Sequence, residues 1–172
     1  MDTRNIEPNI THKVLAKMEE IGKLKAIVTQ NIDGLHQKAG SRKVFEIHGT
    51  TQRNYCSKCK TEYHSDFFFN TKEIIPKCEC GGLIRPDITL YGENLPNNAV
   101  NGAIRAIRDA EILIIGGTSL NVYPAAHYIS YFSGNHLVVI NREEIQVLLN
   151  ENTDLMIVDS LGNVFSEIDK WI

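Results

Sequence analysis

Four cysteines are the residues in this chain whose chemistry is easiest to name: Cys56-x2-Cys59 and Cys78-x-Cys80, all between residues 56 and 80. Two close pairs bring four thiolates to one tetrahedron with little chain strain, which is the way zinc is held in structural sites. The second pair is one residue shorter than usual. Residues at i and i+2 share a face of an extended chain, and Gly81-Gly82 frees the backbone beside them, so chelation stays feasible. Four sulfur ligands would close the coordination sphere to a catalytic water, which makes the expected Zn2+ a structural one. The competing reading is four buried or redox-active cysteines.

Chemistry must then come from polar residues elsewhere, and two groups fall at the ends of apolar runs: Gln30-Asn31-Ile32-Asp33 and His48-Gly49. An imidazole can stand neutral and take up a proton during a reaction step. A third group, Gly117-Thr118-Ser119, ends another apolar run, where glycine permits close backbone approach and hydroxyls can meet a ligand. Taken singly, the first group also reads as a turn with a helix cap, His48 as a satisfied core histidine, and Gly-Thr-Ser as a plain strand-to-helix turn.

The elements that would position these residues alternate between helix and strand. Ile10, Val14, Leu15, Met18 and Ile21 have helical spacing and lead into a strand at Ala26 to Thr29, with a second strand at Val44 to His48. After the cysteine-rich stretch, the spacing predicts a helix over 99–110, a strand over 111–116 and a helix from Pro124 to Phe132. A strand over 136–140 ending at Asn141, a strand over 155–158 and a last helix over 164–171 complete the pattern. This is an α/β chain with a Rossmann-like parallel sheet, helices on both faces, and a small inserted zinc-ribbon-like module. Its expected divisions are 1–50 and 87–172 for the two parts of the nucleotide-binding domain and 51–86 for the zinc-binding module. Open α/β sheets bind ligands beyond the carboxyl ends of their strands, where all three polar groups fall. Phe67-Phe68-Phe69 reads as the seam between module and core, and His12, His36, His64, His127 and His136 as surface or packing residues.

Lys and Arg number 18 against 21 Asp and Glu, for a net charge of -3, so nothing attracts the chain broadly to phosphate backbones or anionic lipid. Direct binding to nucleic acid is not expected, nor is a membrane. No apolar run approaches the roughly 20 residues that span a bilayer, and the polar start lacks a signal-peptide pattern. A soluble, cytoplasmic protein is expected, in a compartment that keeps thiols available to metal. Oligomeric state is not legible.

Several runs, in order, resemble the sirtuin family: Thr29-Gln30-Asn31-Ile32-Asp33-Gly34-Leu35-His36, Glu46-Ile47-His48-Gly49, Ile84-Arg85-Pro86-Asp87-Ile88 with Tyr91-Gly92-Glu93, Gly117 to Ala126, and Val139-Ile140-Asn141. The entry at Pro8-Asn9, His12 and Leu15 is similar too. The resemblance implies an NAD-dependent protein-lysine deacetylase or deacylase. His48 would be its general base, Asn31 and Asp33 would hold the nicotinamide ribose and carboxamide, and Gln30 and Ile32 would complete that wall. It further implies NAD contacts at Gly117, Thr118, Ser119, Asn141, Arg142, Glu143 and Val164. An acyl-lysine peptide would lie extended between Ile88, Tyr91, Gly92, Glu93 on one side and Asn121, Val122 on the other, by strand addition.

The family opens with a strand and a Gly-Ala-Gly phosphate loop that nothing in Met1 to Ile27 matches. The resemblance therefore implies a chain truncated at its N-terminus, with an exposed sheet edge and impaired NAD binding on its own. Tyr91 stands where Phe is common. Acyl preference is not legible, and acetyl is the default. A protein mono-ADP-ribosyltransferase and a non-catalytic, zinc-stabilised peptide-binding module are the alternatives.

Overall fold

The computed structural model describes residues 5–118, 125–145 and 154–172. Helix α1 (Ile10–Glu20) starts where the Asn9 side chain accepts from the His12 amide at 3.2 Å, and ends at Gly22, whose φ of 77° suits only glycine well. Its Glu19 carboxylate accepts the backbone amides of Arg42 and Lys43 at 2.7 and 2.9 Å, which ties the end of α1 to the entry of the second strand. Strands β1 (Ile27–Thr29) and β2 (Val44–Glu46) pair in parallel through the crossover helix α2 (Leu35–Lys38).

The chain then leaves the parallel pattern. Strands β3 (Gly49–Cys56), β4 (Glu62–His64) and β5 (Ile84–Ile88) form an antiparallel sheet in the order β4-β3-β5, with the short helix α3 (Asp66–Asn70) beside it. It returns through α4 (Asn97–Arg108) to a parallel sheet ordered β6-β7-β8: β6 (Ile112–Gly116), β7 (His136–Asn141) and β8 (Leu155–Val158). The short helix α5 (Ala125–Tyr128) continues into a 3-10 turn, and α6 (Leu161–Ile168) closes the chain with another.

The described parallel strands form two separate sheets, β1-β2 and β6-β7-β8. Helix α4 spans both: Ala103 and Ile107 cluster with Ile47 and Tyr128, and Val28, Phe45 and Leu113 pack against them. Gly102 makes this approach possible, because a Cβ there would overlap the Phe45 ring. On the opposite face, Val14 of α1 and Phe165 of α6 bury Ile140 of β7. The expected architecture of parallel strands with helices on both faces is what the chain adopts. The last helix begins three residues earlier than its spacing predicts, because Ser160 caps it through a 3.2 Å bond from the Asn163 amide.

Candidate active site and zinc centre

The cysteine centre is set by two tight turns. Cys56 ends β3, the amides of Lys58 and Cys59 point at its sulfur at 3.4 and 3.5 Å, and Lys60 turns the chain with a φ of 64°. On the other arm the amide of Gly81 donates to Cys78 O, and the amide of Cys78 donates to Gly82 O, both at 2.8 Å. A Cβ on Gly82 would come within 2.5 Å of the Cys56 sulfur, so glycine is what lets the arms close. The four sulfurs lie within 4.8 Å of one another, and Cys56–Cys80 and Cys59–Cys78 are each 3.5 Å apart. A disulfide needs about 2 Å, whereas four thiolates on one zinc at ~2.3 Å stand roughly 3.8 Å apart. The donor set therefore fits zinc. The Thr61 hydroxyl draws the Cys59 thiol down to about 6, while against the Gly82 amide the bonds to the neighbouring thiols push Cys80 up to about 12. Tyr63 and Phe67 pack against Cys56, Cys78 and Ile84, which puts Phe67 in the module's own core rather than at its seam.

After β1 the chain runs through Gln30 to Asp33 as a loop, held from below by β3: the Thr51 amide and hydroxyl both donate to Ile32 O at 2.9 Å, and Gln52 Nε2 donates to Asp33 O at 3.2 Å. Asp33 Oδ1 accepts the Leu35 amide at 2.9 Å, opening α2, and Gly34 adopts a φ of 72° to make that turn. Asn31 is exposed, and its side-chain amide makes no hydrogen bond to the described residues, so it is available to a ligand.

His48 is half-buried directly across this loop, with Nδ1 3.1 Å from Gln30 O. A carbonyl only accepts, so the bond puts the ring proton on Nδ1 and leaves the lone pair on Nε2. Its neighbour Gly49 has a φ of 78°, and a Cβ there would overlap the backbone of Asp87. His12 and His36, expected to be surface or packing residues, meet with ring centroids 4.7 Å apart and planes tilted by 52°, within electrostatic reach of Asp33. Burial lowers the proton affinity of both, and the Asp33 charge partly opposes it.

At the other strand ends, Gly117 lies after β6 with a φ of 63°, its amide donating to Ile140 O at 3.1 Å, and Thr118 follows it. Asn141 ends β7 and donates from Nδ2 to Glu143 O at 2.9 Å, which folds back the exposed Arg142–Glu143 turn. Val164 packs against the cluster of Val14, Ile140 and Phe165, while Leu161 is the residue of α6 that lies over Gly116 and Gly117. Leu161 escaped notice in the sequence; the Ser160 cap is the signal that would have placed it at a helix start. Ser119, Asn121 and Val122 lie outside the described residues. Ile88 ends β5, and Tyr91, Gly92 and Glu93 follow in an exposed turn.

A family model described as the Sir2 family matches residues 1–124. The chain belongs to the Sir2 family. Among curated Sir2-type relatives, an NAD-dependent protein deacetylase of Clostridium perfringens is 54% identical over 166 residues, covering 95% of this chain and 67% of its own length. One from Clostridium tetani is 47% identical, over 94% of this chain and 65% of the relative. The chain thus spans about two thirds of the length of these relatives. Among solved structures, Sir2 bound to acetylated peptide superposes with a TM-score of 0.88 at 36% identity, covering 98% of this chain and 72% of that one. A Sir2 complex with p53 peptide and NAD+ gives 0.86 at 38% identity, covering 96% and 70%. Among the described residues, no helix is long and apolar enough to cross a membrane.

Proposed function

We propose that this Sir2-family chain carries the reacting centre of an NAD-dependent protein-lysine deacetylase (deacylase), which moves the acyl group from lysine to ADP-ribose with release of nicotinamide. The observation that carries it is the His48–Gln30 bond, which fixes the imidazole with a free Nε2 beside the Asn31–Asp33 loop. Bound NAD would supply the ribose carbon that the acyl oxygen attacks and nicotinamide as the leaving group. His48 Nε2 would take the proton of a ribose hydroxyl, whose oxygen attacks the acyl carbon. Asn31, whose side chain has no hydrogen-bond partner among the described residues, and Asp33, pinned at the head of α2, hold the ribose and carboxamide, with Gln30 and Ile32 as the wall behind.

Gly117, Thr118 and Ser119 take the nucleotide at the end of β6, and Asn141, Arg142 and Glu143 face the adenosine ribose. Leu161, over the two glycines, is better placed for the adenine side than Val164. The acyl-lysine peptide adds as a strand along Ile88, Tyr91, Gly92 and Glu93, opposite Asn121 and Val122. Residues 1–50 and 87–172 act as the NAD-binding domain and 51–86 as the zinc module, whose four-sulfur centre is structural. The relatives are bacterial deacetylases, and we place this protein in the cytoplasm.

The test is nicotinamide release from NAD with an acetyl-lysine peptide. It is run for this chain and for the chain fused to the third of the Clostridium perfringens relative that the match leaves out, each beside His48→Ala. Removing a general base lowers the rate by about 10²–10⁴-fold. Acetyl-ADP-ribose formation that His48→Ala leaves intact, or no peptide-dependent nicotinamide release from either protein with zinc bound, contradicts the proposal.

A further inference from the structure

Glu93 falls on the peptide-facing turn, yet its carboxylate is turned inward. The Arg85 guanidinium forks onto it, Nη1 to Oε1 at 2.5 Å and Nη2 to Oε2 at 2.9 Å, and Nη2 also donates to Ile88 O at 2.9 Å. Glu93 Oε2 in turn accepts the Leu90 amide at 3.0 Å, and the Glu93 amide donates to Leu90 O at 3.0 Å. Residues 88–93 are thereby closed into a strap around one ion pair, and the side chains it throws outward are Leu90 and a fully exposed Tyr91. The other end of the strap grips the general base: the Thr89 amide donates to His48 O at 2.9 Å, and Gly49 pairs with Ile88 across the β3–β5 register.

We propose that Arg85 is a positioning residue of the deacylase site: its fork on Glu93 sets the conformation of the 88–93 strap and, through Thr89, the placement of His48. On this reading Leu90 and Tyr91 meet the incoming peptide, and the Glu93 carboxylate does not. Arginine is required because three donors in one plane reach two carboxylate oxygens and a carbonyl together; a lysine ammonium has no such fork. The ring of Tyr55 lies beneath the guanidinium at 5.9 Å and helps to hold that plane. The Arg85 hydrogen bonds, aided by the Leu90 amide, keep the Glu93 carboxyl down at about 2, so the pair stays charged at any working pH. The peptide and His48 consequences rest on the deacylase reading; the clamp on the strap does not.

Arg85→Lys, Glu93→Gln and the exchanged pair Arg85→Glu with Glu93→Arg separate these. Three readouts are compared at matched zinc content and thermal midpoint: chymotryptic cleavage within the strap, affinity for a fluorescein-labelled acetyl-lysine peptide, and the His48 imidazole resonance. Arg85→Lys and Glu93→Gln are expected to be cleaved about tenfold faster and to bind the peptide about tenfold more weakly, as a loss near 1.4 kcal/mol would give. The His48 resonance is expected to shift, and the exchanged pair to recover part of each change. Single variants that match the wild type in all three readouts overturn the proposal. If the wild type captures no peptide while Arg85→Lys still speeds cleavage and moves His48, the deacylase reading falls and the clamp stands.

Discussion

Between Gly49 and Ile88 the core is sulfur: Cys56 and Cys78 are buried with Ile84, and among the described residues only Tyr63 and Phe67 pack against them. Across the parallel strands the core is hydrocarbon, with Val14, Ile140 and Phe165 on one face and Ile47, Ala103 and Ile107 on the other. The first region is too small to exclude water with side chains alone, so its closure would fall to a metal held by the four cysteines. The second distributes its stability over many contacts that span β2-β1 and β6-β7-β8. His48 sits where the two meet, one residue before β3 begins, so its position depends on both.

Removing the metal is the strongest way to break the comparison, because it withdraws a binding free energy on the order of 10 kcal/mol from the cysteine module. Chelation at pH 7, or Cys56→Ser, should collapse the amide signals of 49–88 in an NMR spectrum while those of α1, α4 and α6 persist. Loss of both sets together would mean that the regions fold as one unit. The converse variant is Phe165→Ala, in a side chain 2% exposed, which should cost about 3–5 kcal/mol. The parallel strands should then melt earlier while the chain retains one equivalent of zinc by metal analysis.

How far the two regions were legible in the sequence follows the same division. The cysteine pairs declare themselves because each ligand pair is local, and α1 because Asn9 and the apolar spacing sit in one short stretch. The start of α6 was missed because Leu161-Gly162-Asn163 reads as a turn, and only the Ser160 cap converts it to helix. What no local pattern contains is the long-range bonding. Thr51 and Gln52 under the 30–33 loop, Thr89 on His48, and His12 against His36 are set by how strands and helices pack. The candidate site residues could be named from sequence; the residues that hold them could not.

A change at the junction sharpens the point. Gly49→Ala would place a methyl into the Asp87 backbone at a φ of 78°, at a cost of about 1–3 kcal/mol. Peptide-dependent turnover should fall further than the thermal midpoint suggests, because His48 moves with it. Turnover that tracks stability alone would detach His48 from the β3–β5 contact.

The smallest expected effect lies in the imidazole pair beside Asp33. Burial holds His12 and His36 below their ordinary 6.5, while the Asp33 charge pulls each back up. With folded values below the unfolded one, their contribution to stability is complete above pH 6.5 and is lost as pH falls through the folded values. Asp33→Asn should lower both midpoints further in an NMR titration. Unchanged midpoints would place the carboxylate outside their electrostatic reach.

The most direct test is the fate of the acyl group. With NAD and an acetyl-lysine peptide, mass spectrometry should find acetyl-ADP-ribose and free lysine in equal amounts with nicotinamide, and neither with His48→Ala. ADP-ribose attached to protein, with the lysine still acetylated, would instead make the chain a mono-ADP-ribosyltransferase and contradict the role assigned to His48.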